Sequence, residues 1–229
     1  NIKNVIMTDM NRIVTEISEL PVSGIISPEN VRICDSTSMK DIKPAFVYKN
    51  YNKKSEFVIV IKDSLNKGNN CYLKIFNLAD EYGNRNKLSE LSFAPAEKKD
   101  TVQIKIGRIV GLNDDPELDP DESTLLVNFS KEAEIAGNEV FYISSDNEPK
   151  ILCVFERIDG ASVRVISPVK FGKGKKMKLL TDFSKIKDIN GIGKDTLLSS
   201  ELKVAGSMDF SGVSGTVSGD ANIPLVKVE

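Results

Sequence analysis

The richest set of metal-binding side chains lies in residues 113–122, which read Asn-Asp-Asp-Pro-Glu-Leu-Asp-Pro-Asp-Glu. Calcium takes about six to eight oxygen ligands from a bent loop, so Asp114, Asp115, Asp119 and Asp121 are candidate calcium ligands. The run holds two prolines and no glycine bend, which does not match the spacing of an EF-hand loop. The sequence therefore favours a solvated loop between two strands, with calcium as the only candidate cofactor.

A second charged group is the basic stretch at residues 170–178, where lysines alternate with two glycines. The glycines predict a hairpin turn, which would place Lys173, Lys175 and Lys176 at its tip. These lysines would hold an anionic cell-wall polymer through charge. A hairpin tip must be polar in any case, and its glycines lack the spacing of a phosphate-binding loop.

No residue of the chain is predicted to be catalytic. The sequence contains no His, the commonest general base and transition-metal ligand. A serine nucleophile would then need a Lys or carboxylate partner, and no spacing identifies one. We therefore predict that the chain is not an enzyme.

The charge balance and the hydropathy exclude two further classes of function. Lys and Arg total 31 against 33 Asp and Glu, a formal charge of −2, whereas nucleic-acid-binding proteins usually carry a basic excess. No apolar run reaches the length of a membrane span. The chain begins at Asn1 without a leader, so we expect a fragment or a mature segment, with any targeting signal lying outside it.

The three cysteines, Cys34, Cys71 and Cys153, cannot form a complete disulfide framework because their number is odd. Residue alternation places Cys34 on the outer face of its strand and Cys71 on the inner face with Leu73. We predict free, mostly buried thiols that pack as small hydrophobic side chains.

The elements that would position these groups are short β-strands separated by turn residues. Segment 56–61 is β-branched nearly throughout, as expected for a strand covered on both faces. In the first half we predict strands at 2–7, 12–18, 30–34, 44–48, 56–61, 71–75 and 91–93. In the second half we predict them at 102–106, 124–130, 139–143, 151–155, 162–166, from 177 onward and at 202–204. Short strands at this spacing are typical of an all-β sandwich.

The two halves keep one order of elements, which indicates an internal repeat. The turn with Asp80 and Gly83 recurs as Asp188 and Gly191 with equal spacing. The preserved order is harder to obtain by chance than any single motif.

The repeat predicts an all-β chain of two tandem antiparallel β-sandwiches, at residues 1–99 and 100–206. The boundary near residues 98–100 is polar and short, so we expect limited hinge motion. Residues 207–229 are rich in Gly and Ser, which predicts either a flexible tail or the start of a further β domain. The apolar residues within this tail favour the second interpretation.

The repeated pattern resembles a family of bacterial Ig-like domains found in tandem on S-layer and other cell-surface proteins. Its first hallmark is a strand that ends in an apolar residue, Ser and a charged bend, as at 127–132 and more weakly at 15–19. Its second hallmark is a strand leading into a Leu-x-Asp-x-x-Gly-Asn turn, as at 78–84 and more weakly at 186–191. Ile17 stands where the family usually has an aromatic residue, and no Asn follows Gly191.

The tail is similar to the opening of a carboxypeptidase-regulatory-like β module over residues 215–225. The Ig-like resemblance implies a non-catalytic, extracellular role at the bacterial cell surface or cell wall, in spacing, assembly, adhesion or display. The implied partners are neighbouring domains of a larger protein, wall polymer or further copies of the chain.

The alternative function is a carbohydrate- or wall-binding accessory module of a secreted enzyme. An exposed aromatic row, such as Tyr48 with Tyr51 or Tyr72, would support it.

Overall fold

The computed structural model describes residues 1–19, 26–37, 41–53, 55–66, 68–79, 82–145 and 148–206. The protein is all-β, with 46% strand and 3% helix, which confirms the predicted fold class. No helix among the described residues is long and apolar enough to cross a membrane. Asp80 of the predicted turn and the tail at 207–229 lie outside the described residues.

Two four-stranded antiparallel sheets make up the first half. Their strands are β1 (Ile2–Asp9), β2 (Arg12–Ile17), β3 (Val31–Asp35), β4 (Asp41–Ile42), β5 (Phe46–Lys49), β6 (Glu56–Val60), β7 (Cys71–Ile75) and β8 (Ser89–Phe93). One sheet has the order β1-β2-β6-β5 and the other the order β4-β3-β7-β8. Ile13 and Ile59 of the first sheet pack with Ile33 and Leu73 of the second in one buried cluster. We refer to this unit as the first sandwich.

The second half contains two corresponding sheets and one short ribbon. Its strands are β9 (Ile106–Val110), β10 (Thr124–Phe129), β11 (Glu134–Ile135), β12 (Phe141–Ser145), β13 (Ile151–Leu152), β14 (Val154–Arg157), β15 (Ser162–Ile166), β16 (Met177–Asp182), β17 (Ile186–Lys187) and β18 (Leu197–Leu202). The sheet orders are β9-β10-β15-β14 and β13-β12-β16-β18, with β11 paired to β17. Val127 and Phe141 come from opposite sheets and share a core. We refer to this unit as the second sandwich.

Each sandwich therefore has the same sheet order. Strands β1, β2, β6 and β5 correspond to β9, β10, β15 and β14, and β4, β3, β7 and β8 correspond to β13, β12, β16 and β18. Single turns of 3-10 helix at Pro28–Asn30 and Phe183–Lys185 interrupt the strands.

The serine of the first sequence hallmark joins the first two strands of each sandwich. The Ser18 backbone N–H donates to the Asn1 carbonyl at 2.8 Å, and the Asn1 amine donates to the Ser18 hydroxyl at 2.8 Å. Ser130 repeats this with Lys105, at 2.8 Å through the two backbones and 3.1 Å through its hydroxyl. The hallmark serine therefore joins the first two strands in both sandwiches.

Several predicted strand bounds in the second sandwich are wrong. The first strand is Ile106–Val110 rather than 102–106, because Val102 bonds to the side chains of Asp100 and Lys131 instead of to a neighbouring strand. The closing strand is Leu197–Leu202 rather than 202–204. Ser199 and Ser200 interrupt its apolar pattern, so the sequence does not indicate this strand. Its pairing with β16 defines it in the structure.

Candidate functional site

A cluster of buried charges lies where the two sandwiches meet, and Arg12 is its central cation. Arg12 begins β2 and is only 6% exposed. Its Nε donates to Glu132 Oε2 at 2.8 Å, and its Nη2 bonds to Glu132 Oε1. Its Nη1 donates to Asp100 Oδ2 at 2.6 Å and to Asp9 Oδ2 at 3.3 Å. The guanidinium therefore binds carboxylates from the first sandwich, the boundary and the second sandwich together.

Lys131 is the second buried cation, and it follows the hallmark serine directly. Its Nζ donates to Asp100 Oδ2 at 2.7 Å, to Asp188 Oδ2 at 2.6 Å and to the Val102 carbonyl. The other Asp188 oxygen accepts the Ile192 backbone N–H at 2.7 Å. The aspartate of the second hallmark therefore both closes its own turn and holds the lysine.

Burial and charge shift the pKa values of three groups in this cluster. Burial lowers the pKa of Arg12, but the bonds and charge of Glu132 and the charge of Asp9 more than offset it, so the net shift is upward. Burial raises the pKa of the Tyr48 phenol, and the Glu132 charge raises it further. Burial also acts to raise the pKa of Asp100, yet the hydrogen bonds from Lys131 and Val102 and the charges of Arg12 and Lys131 together outweigh it, so the pKa is lowered. Asp100 is therefore held as a carboxylate and Tyr48 as a neutral phenol.

An apolar contact lies beside the charged cluster. Tyr48, Val58 and Val60 on the outer face of the first sandwich form a buried cluster with Ala161 of the second, and Val14, Phe46 and Ile189 pack against it. The other face of β6 carries Phe57 and Ile59 into the core of the first sandwich. The expectation that β6 is covered on both faces is thus confirmed, and its second cover is the other sandwich.

Gly160 lets the backbone of the second sandwich approach the Phe46 and Tyr48 side chains closely within this contact. A Cβ atom at Gly160 would lie 2.8 Å from the Phe46 Cβ and 3.0 Å from Tyr48 Cδ1. Gly107 faces the ring of Tyr51 in the same way. Asp159, next to Gly160, accepts a backbone hydrogen bond from Lys49, so polar and apolar contacts alternate along the seam.

We call the charged cluster and the apolar contact together the joint. Its ions are buried, so salt screens them much less than it screens surface pairs. Burying such a network adds little net stability. Removing one member, however, leaves the remaining charges buried without a partner. The joint is therefore suited to fixing one arrangement of the sandwiches rather than to chemistry.

The carboxylates proposed as calcium ligands do not converge on one point. Asp114 accepts Arg108 Nη1 at 2.8 Å, and Asp121 pairs with Lys170 at 3.7 Å. Asp115 and Asp119 line one depression of about 580 Å³ beside Gly206. Among the described residues, no group of three or more His, Cys, Asp or Glu side chains is placed to hold a metal ion. Calcium binding by this loop stays a prediction.

The basic turn has the predicted geometry. Gly172 and Gly174 take positive φ angles of 72° and 70°. Lys173, Lys175 and Lys176 are exposed there, and Lys175 pairs with Glu148 at 3.1 Å. Binding of a wall polymer by these lysines stays a prediction.

The aromatic row considered for carbohydrate binding is absent at the residues named. Tyr48 is buried in the joint, and Tyr51 and Tyr72 are half-buried. The sequence prediction did not anticipate that the second sandwich covers this face.

The cysteines are free and buried, as predicted. Cys34 was expected to be exposed but is 3% exposed. It lies in β3, an inner strand of its four-stranded sheet, between β4 and β7. Burial raises the pKa of Cys71, and it raises that of Cys153 to about 11.

The sequence pointed to Lys131, Glu132 and Asp188 as parts of two hallmarks, but it did not predict that they meet. Arg12 and Glu132 are 120 positions apart, and no periodic pattern links them. The available signal was a charged pair placed directly after a buried strand, together with outer-face valines at Val58 and Val60.

No protein-family model and no curated protein sequence matches the chain. Among solved structures, the chain is similar to the N-terminal part of the bacterial S-layer protein SbsC, at 15% identity and a TM-score of 0.38, over 89% of this chain and 43% of that chain. It is also similar to domains 1-6 of surface layer protein SbsC, at 14% identity and a TM-score of 0.38, over 84% of this chain and 33% of that chain. The chain thus spans less than half the length of these structures. At these values the likeness does not assign a function.

Proposed function

We propose that the chain is a non-catalytic structural segment of a bacterial cell-surface or S-layer-type protein. Two tandem Ig-like sandwiches, at residues 1–99 and 100–206, act in it as one stiff spacer that supports assembly, adhesion or display. The joint is the observation that carries this proposal, because a spacer transmits position only if its units keep a fixed angle.

The joint stiffens the spacer in two ways. Arg12 of the first sandwich binds Glu132 and Asp100 of the second half, so a hinge motion would separate buried charges at high cost. Gly160 brings the second backbone against Phe46 and Tyr48, where close packing leaves little room to slide. Arg12 and Lys131 neutralise the buried carboxylates, so we expect the stiffness not to depend on calcium.

The surface location is tested by labelling intact cells of the source bacterium with an antibody raised against this chain. We expect intact and permeabilised cells to bind similar amounts of antibody. Labelling that appears only after permeabilisation would contradict the proposal. The labelling does not depend on the stiffness of the joint, which needs the separate measurement described at the end of the Discussion.

A second candidate function, binding of an anionic wall polymer, is favoured by the exposed basic turn. No ion pair to Lys173 or Lys176 is found within the described part of the chain, so both ammonium groups face solvent. Sedimentation of the protein with isolated cell walls tests this function. We expect the change of both lysines to Glu to abolish sedimentation if the turn binds polymer, and Lys3→Glu to leave it unchanged.

A further inference from the structure

The outer face of the second sandwich repeats the surface that the joint covers on the first. In the first sandwich, Arg12 pairs with Val60, which pairs with Phe46, so these three form one row across the sheet. The equivalent row of the second sandwich is Thr124, Ile166 and Val154, joined by the same pairings. Both rows lie at the start of the second strand of their sandwich.

The two rows differ in what covers them. Val60 of the first row is fully buried beneath the second sandwich. Val154 of the second row is 65% exposed, and its neighbour Ile166 is half-buried. A single exposed valine is ordinary, but this one occupies a position whose counterpart in the same chain is a buried contact.

The chain leaves each sandwich at the end that carries the row. In the first sandwich, the Met10 backbone N–H donates to the Lys98 carbonyl at 2.9 Å, immediately before Arg12. In the second, the Ala205 backbone N–H donates to the Leu118 carbonyl at 2.9 Å, shortly before Thr124. Gly206 lines the same depression as Glu122, two residues before Thr124, so the segment after Gly206 starts at the end of the sheet that carries the row.

We propose that the row formed by Thr124, Ile166 and Val154 is a docking surface for residues 207–229 of this chain. That segment is long enough, since an extended chain spans roughly 3.3 Å per residue. Its sequence supplies apolar side chains to cover the row: Val213, Val217, Ile223, Leu225, Val226 and Val228. The inference rests on the proposed function, because it takes the joint as the pattern for a second contact.

The next row of the sheet limits the size of the contact. In the first sandwich this row is Val14, Val58 and Tyr48, all apolar or aromatic. In the second sandwich Arg164 and Glu156 stand in place of Val58 and Tyr48, and they form an exposed ion pair at 3.0 Å. The segment is therefore expected to cover Val154 and to leave Glu156, two residues along the same strand, in solvent.

Thiol labelling of the 229-residue chain tests this inference. A single cysteine is introduced as Val154→Cys or as Glu156→Cys, and its reaction with a water-soluble maleimide is timed. The native cysteines give little background because they are buried. The raised pKa of Cys153 further disfavours its reactive thiolate at neutral pH.

We expect Cys at 154 to react about tenfold more slowly than Cys at 156 in the full chain, because labelling requires the contact to open. In a chain ending at Gly206, which keeps all described strands, the two rates should become equal. Equal rates in the full chain would overturn the inference, and so would slow labelling at 154 in both chains. Slow labelling at position 154 in the full chain, found together with a mobile joint, would overturn only the proposed function.

Discussion

The two outer sheet faces of this molecule begin from one strand order and differ in what they meet. On the first sandwich the face carries Val58, Val60 and Tyr48 and is buried by the second sandwich. On the second sandwich the matching face carries an Arg164–Glu156 ion pair and one exposed valine. The difference indicates that the side chains on the outer sheet face, rather than the strand order, decide whether that face packs against a neighbouring sandwich.

The largest predicted effect comes from removing the central cation of the joint. Arg12→Ala leaves Glu132, Asp9 and Asp100 without their shared guanidinium, so we expect a loss of about 3–5 kcal/mol in the free energy of unfolding. Urea unfolding measures it.

Lys3→Ala is the matched control, because Lys3 forms a solvent-exposed pair with Glu16 at 3.8 Å. Exposed pairs contribute about 0–1 kcal/mol. Equal losses for the two variants would show that the charges of the joint are no more important than surface charges.

A smaller effect is expected from crowding the apolar side of the joint. Gly160→Ala drives a methyl group into the Phe46 Cβ and the Tyr48 ring, which would cost about 1–3 kcal/mol. Hydrogen exchange at β5 and β6 should quicken while the two cores stay protected. Gly206→Ala is the control, since a Cβ added at Gly206 would meet no atom within 4 Å. Unchanged exchange in Gly160→Ala would mean that Gly160 is not in close contact with the Phe46 and Tyr48 side chains.

The pH dependence of stability should distinguish Asp100 from Asp159, two carboxylates of the joint whose pKa values shift in opposite directions. The pKa of Asp100 is lowered, so its stabilising contribution is present above the ordinary Asp range and is lost as pH falls through it. The pKa of Asp159 is raised by burial, so its ionised form is unfavourable at neutral pH and protonation in acid relieves this.

We therefore expect Asp100→Asn to lower the thermal midpoint at pH 7 by about 2–4 °C and to reduce the loss on going to pH 3. Asp159→Asn should make the acid loss larger. Thermal unfolding followed at both pH values tests the signs. An acid loss that neither substitution alters would place the titrating groups outside the joint.

The smallest effect is expected from calcium. Asp114 and Asp121 already pair with Arg108 and Lys170, so residues 113–122 should behave as a solvated loop. The thermal midpoint should then be the same with calcium and with a chelator. A rise of several degrees would show binding to the folded state and make Asp115 and Asp119 the first ligands to substitute.

The parts that the sequence predicted correctly depend on local rules. Alternation identified β2, β7 and β15, and the glycine turns at Gly83, Gly172 and Gly191 were found because positive φ favours glycine. The closing strand was missed because Ser199 and Ser200 interrupt its apolar pattern.

The joint depends on long-range geometry instead. From the sequence pattern, Arg12 is an ordinary polar residue at the start of a strand. Lys131 and Glu132 have the pattern of a solvated bend. Only the relative placement of two sandwiches makes them partners. The apolar outer face of β6 and the charged pair after β10 were the sequence signals that a second surface lay nearby.

The central claim, that the joint holds the two sandwiches at one fixed angle, is tested most directly by a distance measurement. Ser92→Cys on β8 and Ser199→Cys on β18 place spin labels at exposed, equivalent strands of the two sandwiches. Pulsed electron spin resonance should give one narrow distance distribution, and adding Arg12→Ala should broaden it. A broad distribution in the chain with Arg12 intact would contradict the claim.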